Sequence, residues 1–201
     1  MPEPTFTERR SSVSRTTAET SIECELSLDD SSTIDIDTGV GFLDHMLTLF
    51  ARHGGFSLSI KAEGDLEVDD HHTVEDCGIV IGQAFRDAVG DKAFIARYGH
   101  AYVPMDEALC RAVVDLSGRF YLVFDATFSR ERVGDMSTEM VKHFWYSFAE
   151  KLGCNLHISV LNGENDHHRI EAMFKACARA LSTAVRRDAN SERILSTKGV
   201  L

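Results

Sequence analysis

The chain has 201 residues, 43% hydrophobic and 26% charged, enough to bury the core of one compact domain or of two small fused halves. Its 21 Lys and Arg against 32 Asp and Glu leave a net charge of -11, which argues against a nucleic-acid backbone or an anionic membrane as main partner, since both reward clustered cations. No apolar run approaches the ~20 residues of a membrane span, the N-terminus lacks the apolar core of a secretory signal, and five scattered cysteines form no CxxC pair, so a cytoplasmic protein with reduced thiols is expected.

Strands are predicted near Thr5–Val13, Thr17–Leu28 and Ser32–Asp37, the middle one alternating as TSIECELSL. A helix over Phe42–Arg52 follows, with apolar residues at Phe42, Leu43, Met46, Leu47 and Phe50, and Gly54-Gly55 ends it. A strand at Phe56–Ala62 and a helix at Thr73–Val89 complete this stretch. The same order then recurs: strands near Ala101–Val103, Glu107–Asp115 and Tyr121–Phe128, a helix Thr138–Lys151, a strand Asn155–Leu161 and a helix His168–Arg187.

Residue matches support that recurrence. An offset of 98 pairs His45 with His143, Phe50 with Phe148, Gly55 with Gly153 and Ile60 with Ile158; an offset of 96 pairs His71-His72 with His167-His168 and Glu75 with Glu171. The expected fold is therefore α/β, an α+β sandwich built by internal duplication of a β-β-β-α-β-α unit, with sheets packed against helices. Residues 1–92 form the first half, 93–187 the second and 188–201 a C-terminal tail, fused into one compact domain.

Each half holds one H-H-x-x-E, at His71-His72-Thr73-Val74-Glu75 and at His167-His168-Arg169-Ile170-Glu171. On a helix the first His and the Glu lie at i and i+4, on one face, where they can grip one ion, while the second His points roughly 100° away. An imidazole and a carboxylate so spaced suit zinc, manganese, iron or cobalt. Alone, such a motif reads as a solvated helix start; its recurrence at equivalent places, each about 25 residues after a helix histidine, makes metal binding the better reading. The eight candidate ligands are His45, His71, His72, Glu75, His143, His167, His168 and Glu171. One pairing that uses all eight gives His71, Glu75, His143 and His168 to one metal and His45, His72, His167 and Glu171 to the other. His53 at a helix end, His157 on a strand and His100 in a loop-to-strand segment have ordinary structural readings.

The chain resembles the imidazoleglycerol-phosphate dehydratase family over nearly its whole length. The resemblance rests on Gly41-Phe42-Leu43-Asp44-His45-Met46-Leu47, Asp70-His71-His72-Thr73-Val74-Glu75-Asp76, Val103-Pro104-Met105-Asp106-Glu107-Ala108-Leu109, Asp115-Leu116-Ser117-Gly118-Arg119 and Ser196-Thr197-Lys198-Gly199-Val200-Leu201. Leu49 is a departure: the family pattern places a Gln there, near the substrate phosphate.

The resemblance implies a hydro-lyase of histidine biosynthesis that converts imidazoleglycerol phosphate to imidazoleacetol phosphate and water. It implies two Mn(II) per active site and no organic cofactor. It further implies a large homo-oligomer of cubic symmetry, roughly a 24-mer, with active sites between subunits. The departing hydroxyl is a poor leaving group and no carbonyl acidifies the neighbouring C–H, so charge must be stabilised on the imidazole, which is work for metal ions. Glu19 is implied as the acid–base group in contact with substrate, with Glu75 and Glu171 beside the ions. Asp106 and Glu107 are implied to orient a ligating histidine, and Arg97, Arg119, Ser196 and Lys198 to bind the phosphate. Two other readings share the His/Glu inventory, a di-metal hydrolase and a metal-storage cage; neither gives the Pro-Met-Asp-Glu and Ser-Thr-Lys-Gly motifs a task.

Overall fold

The computed structural model describes residues 7–188 and 194–196. Strand β1 (Arg10–Thr16) pairs antiparallel with β2 (Thr20–Ser27), along which Ile22, Cys24 and Leu26 are buried while Ser21, Glu23 and Glu25 face outward. Such alternation belongs to a sheet with one solvated face. β4 (Ser57–Gly64) pairs antiparallel with β2 and parallel with β3 (Ile34–Asp37), giving the order β1-β2-β4-β3. The second sheet has the matching order β5-β6-β10-β7 from β5 (Tyr98–Met105), β6 (Ala108–Asp115), β7 (Tyr121–Asp125) and β10 (Asn155–Asn162), again with one parallel pair, β10 with β7. The fold is thus the mixed α/β arrangement expected, two sheets packed against four helices.

Helices α1 (Gly41–Gly54) and α2 (His71–Val89) belong to the first half, α3 (Glu139–Leu152) and α4 (Asp166–Val185) to the second. α2 lies on β1 and β2, α4 lies on β5 and β6, and the halves meet as α1 against α4 and α2 against α3. Phe50 and Phe85 cross this seam to Trp145 and Phe148, with ring centroids 6.0 Å apart for Phe50–Trp145 and 5.6 Å for Phe85–Phe148. Gly78 and Gly82, one turn apart on α2, let α3 come close: a Cβ on Gly78 would lie 2.6 Å from the Phe144 carbonyl oxygen. Overpacking of that kind costs ~1–3 kcal/mol. The approach also sets His71 and Glu75 of α2 beside His143 of α3.

Several boundaries differ from the sequence expectation. β1 begins later because its register is fixed by β2, with Val13 opposite Cys24. α2 begins two residues earlier, at His71, whose N–H is taken by Asp69 Oδ1 at 2.8 Å. α4 begins at Asp166, capped by Asn165 Oδ1 on the His167 N–H at 2.9 Å, and ends at Val185, after which Arg187 bridges to Ile95. β7 stops at Asp125, and residues 126–138 carry an unexpected hairpin, β8 (Arg132–Val133) with β9 (Met136–Ser137). All five cysteines are free and buried, and burial pushes the Cys24, Cys110 and Cys154 thiols up to about 12, so they serve as core packing. No helix among the described residues is long and apolar enough to cross a membrane.

Candidate active site

Two clusters form at the seam between halves. In the first, His71 Nε2 lies 3.2 Å from Glu75 Oε2, the i,i+4 geometry expected of the motif, and His143 joins from α3 with its ring 5.0 Å from that of His71. Ser147 Oγ approaches the other Glu75 oxygen at 3.5 Å. In the second, Glu171 Oε2 is 3.2 Å from His167 Nε2 on its own helix and 3.4 Å from His45 Nε2 on α1. Each cluster gathers its three ligand atoms within 4.8 Å of one another. Two imidazole nitrogens and one carboxylate oxygen at that spacing fit a borderline divalent cation with coordination positions left open.

Glu171 is 6% exposed. Burial alone would raise its carboxyl, but Lys175 Nζ at 2.5 Å and the imidazoles of His167 and His45 outweigh it and hold the group below the ordinary carboxylate range. It is therefore an anion at neutral pH, as a ligand must be.

His72 and His168 stand outside both clusters of the chain. His168 Nδ1 is 2.8 Å from Glu107 Oε2, and His72 Nδ1 is 3.0 Å from Asp65 Oδ2. Each ring thus has Nδ1 fixed by a carboxylate and Nε2 left as the available nitrogen, the arrangement that orients a metal-binding imidazole. These hydrogen bonds raise the pKa of both histidines. The Asn165 N–H, then His168 and the Glu164 N–H, pull Glu107 down to about 2. Met105 pairs with Ala108, so Asp106 and Glu107 are a two-residue hairpin turn, and the positive φ of 48° at Asp106 aims Glu107 at His168. Asp106 Oδ2 lies 3.8 Å from His168 Nε2, beyond hydrogen-bond reach.

Glu19 sits in the turn between β1 and β2, with Oε1 3.7 Å from His72 Nε2. Its carbonyl accepts the Asp65 N–H at 3.1 Å, so one loop residue holds both the turn and the histidine. Asp76, one residue past Glu75, fixes the same turn through Thr20 Oγ1 at 2.5 Å and Arg15 Nε at 3.0 Å.

The phosphate candidates are divided. Arg119 is exposed beside Gly118. Arg97 is 9% exposed and gives Asp115 a two-pronged contact, Nε to Oδ1 at 2.7 Å and Nη2 to Oδ2 at 3.2 Å, while its Nη1 donates to the Leu195 carbonyl. Arg97 therefore joins the end of β6 to the C-terminal segment, a task the sequence did not suggest. Ser196 donates its N–H to the Ile194 carbonyl at 2.8 Å, and Lys198 lies outside the described residues. Leu49 is partly buried and packs on the core. His157 is exposed on β10; His53, His100 and Arg179 line a cavity of about 390 Å³. Burial, then Lys175 and Arg179, lower the His53 pKa.

Sequence reasoning missed Asp65, Lys175 and the two aspartates that precede the histidine pairs, Asp70 and Asp166. A signal for the last two was present: the shared motif is D-H-H-x-x-E, not H-H-x-x-E, in both halves.

Paired nitrogen–nitrogen–carboxylate clusters at matching places in an α/β fold, with the Glu19 carboxylate 3.7 Å from His72 Nε2, are a donor set of the kind that lyases and hydrolases use. Residues 38–181 match the family described as imidazoleglycerol-phosphate dehydratase. The imidazoleglycerol-phosphate dehydratase of Salinibacter ruber is 60% identical over 201 residues, covering 100% of both chains, and that of Acetivibrio thermocellus is 55% identical over 194, covering 96% of this chain and 100% of its own. The crystal structure of the Staphylococcus aureus enzyme superposes with a TM-score of 0.81 at 47% identity, covering 89% of this chain and 99% of that one. The Pyrococcus furiosus structure, in complex with (S)-C348, gives 0.81 at 38% identity over 94% and 100%. The chain belongs to the imidazoleglycerol-phosphate dehydratase family and is a hydro-lyase of histidine biosynthesis.

Proposed function

We propose that the chain is a metal-dependent dehydratase that takes imidazoleglycerol phosphate to imidazoleacetol phosphate and water, with two Mn(II) per active site. The observation that carries this reading is an arithmetic of ligands. Each cluster supplies three donors, and each chain has two further histidines, His72 and His168, with Nδ1 held by carboxylate and Nε2 unused by either cluster. A second copy of the chain that brings its own His72 or His168 to a cluster would complete four protein ligands. This supports active sites shared between subunits of a large homo-oligomer, roughly a 24-mer. Five reduced, buried cysteines favour a cytoplasmic setting.

Bound at both clusters, the ions would supply electrostatic stabilisation of negative charge on the substrate imidazole. The chain does the rest. Glu19, whose Oε1 lies 3.7 Å from His72 Nε2, would take the proton from the carbon next to the one that loses hydroxide. Lys175 keeps Glu171 ionised through its contact at 2.5 Å. Arg119, with Arg97, Ser196 and Lys198, would hold the phosphate and fix the distance from that group to the imidazole.

The test is incubation of purified, manganese-loaded protein with imidazoleglycerol phosphate. Appearance of the ketone, dependent on metal, is the expected result. Release of inorganic phosphate without ketone would favour a di-metal hydrolase, and uptake of many ions per chain without turnover a storage cage.

A further inference from the structure

All four helices that carry candidate ligands begin against one segment, residues 126–138. Asp166 opens α4 just before His167, and its Oδ2 accepts the Ser129 N–H at 2.8 Å, the Ser129 hydroxyl at 2.9 Å and the Arg130 N–H at 2.8 Å. Asp70 stands at the N-cap position of α2, just before His71, with its carboxylate turned to the segment rather than to the helix's own N–H groups. Its Oδ2 accepts the Ser137 N–H at 2.5 Å, and its Oδ1 the Ser137 hydroxyl at 2.7 Å and Arg132 Nη2 at 3.3 Å. Asp135, at the turn of the β8–β9 hairpin, reaches the start of α1 and accepts the N–H groups of Gly41 at 2.6 Å and Phe42 at 2.9 Å. α1 has no side-chain cap of its own, so this remote aspartate takes its first free donors. α3 follows at once: Thr138 donates its N–H to the Glu131 carbonyl at 2.9 Å and its hydroxyl to the Arg130 carbonyl at 2.7 Å, which closes the segment on itself.

Asp70 is 4% exposed and Asp166 1%. A carboxylate that deep is stable only with its lone pairs filled, and the segment's donors fill most of them. The hairpin is also wedged in place. Val133 and Met136 are buried, and Gly134, with φ of 61°, sits against Phe42, where a Cβ would be 3.3 Å from the Phe42 Cβ. Phe42 in turn places its ring 5.1 Å from that of His167.

We propose that residues 126–138 form a clasp that sets the positions of α1, α2, α3 and α4 relative to one another, with Asp70 and Asp166 as positioning residues for the two ligand clusters. The proposal rests on the metal-dependent reading above. Neither aspartate belongs to a cluster; each acts through the helix start that it anchors, one residue before the first ligand. Without the clasp the helices would still pack through the aromatic seam, but the three donors of each cluster would lose their fixed spacing.

The experiment is equilibrium dialysis of Mn(II) against the full chain, wild type beside Asp70→Asn, Asp166→Asn, Ser129→Ala and Ser137→Ala. The serine variants loosen the clasp without altering charge beside the ions, and they stand in if an aspartate variant does not fold. The expected result is at least ~10-fold weaker binding at one class of site in Asp70→Asn and at the other in Asp166→Asn, with a smaller loss of the same kind in each serine variant. Arg9→Ala, remote from the clusters, should lower the melting temperature and leave Mn(II) affinity unchanged. Variants that melt earlier but bind Mn(II) as tightly as wild type would overturn the clasp and leave the metal reading intact. A wild type that takes up no Mn(II) would overturn the metal reading and the clasp with it.

Discussion

Glu107 Oε2 sits 2.8 Å from His168 Nδ1 across 61 residues of chain, and Asp65 does the same for His72 from a different element. The second half uses the β5–β6 turn and the first uses the segment after β4, so the halves reach one geometry by two routes. A fixed Nδ1 leaves Nε2 with one direction to point. Glu107→Gln keeps an oxygen for the Asn165 N–H but no longer favours the tautomer that donates from Nδ1. We expect Mn(II) affinity to fall about 10–100-fold, with helix content unchanged. Calorimetric titration of metal into wild type and variant decides it; equal affinities would show that His168 needs no partner.

Glu19→Gln removes basicity at nearly constant shape. The turn that carries Glu19 is held by its backbone, through Asp65 and the Thr17 hydroxyl, so the substitution should leave it in place. Metal content and KM should be preserved while kcat falls far more than tenfold, a barrier increase above ~1.4 kcal/mol. Retention of more than about a tenth of wild-type kcat would remove Glu19 from the acid–base role.

How much of this was legible in the sequence depends on the range of the interaction. α1 could be read because Phe42, Met46 and Phe50 recur at helical spacing and Gly55, at φ of 71°, stops it. The i,i+4 contact of His71 with Glu75 is equally local. The grouping of His45 with His167 and Glu171, and of His143 with His71 and Glu75, is the one the repeat-based pairing gives, but its cause is not local: α1 packs on α4 and glycines let α3 approach α2, while His72 and His168, the fourth ligands of that pairing, stand outside both clusters. Helical periodicity carries no record of which helices pair. The β8–β9 hairpin escaped for a different reason, since strands of two residues have no period. Arg97 was read as a phosphate cation from its motif, whereas its partner, Asp115, lies 18 residues away on β6.

That last pairing separates two arginines that the family pattern treats alike. Arg119 is exposed, so Arg119→Ala should raise KM for the phosphate substrate by about tenfold or more, on the basis of ~1.5–3 kcal/mol for a charge-assisted contact, and leave the melting temperature alone. Arg97→Ala should raise KM and also lower the melting temperature, because Asp115 loses its two-pronged partner and the Leu195 carbonyl a donor. Steady-state kinetics beside thermal melts of both variants give the comparison. A melt unchanged in Arg97→Ala would mean that the Asp115 contact contributes nothing to stability.

A pH dependence follows near the end of α4, where Arg9 ties the start of the chain to Asp29. Its Nη2 lies 2.6 Å from Asp29 Oδ1, its N–H donates to Oδ2 at 2.9 Å and its Nη1 reaches the Val185 carbonyl at the end of α4. Burial alone would raise the Asp29 carboxyl, but hydrogen bonds and charge from Arg9, with the charge of Arg187, outweigh it and hold the group below its ordinary value. A carboxyl lowered on folding stabilises the native state above its unfolded pKa of ~3.9, and that contribution fades as pH falls through the lower, folded value. Asp29→Asn should therefore cost stability at pH 7, about 1.5–3 kcal/mol at most, since partial exposure screens the pair. The gap between wild type and variant should narrow as the solution is taken from about pH 5 toward pH 3, because there the unfolded carboxyl, at ~3.9, takes up its proton while the folded one is held lower. Thermal melts of chelator-treated protein across that range measure the gap without interference from metal release. A gap of constant size from pH 7 to pH 3 would show that Arg9 does not depress the Asp29 carboxyl, and that the contact is held by shape alone.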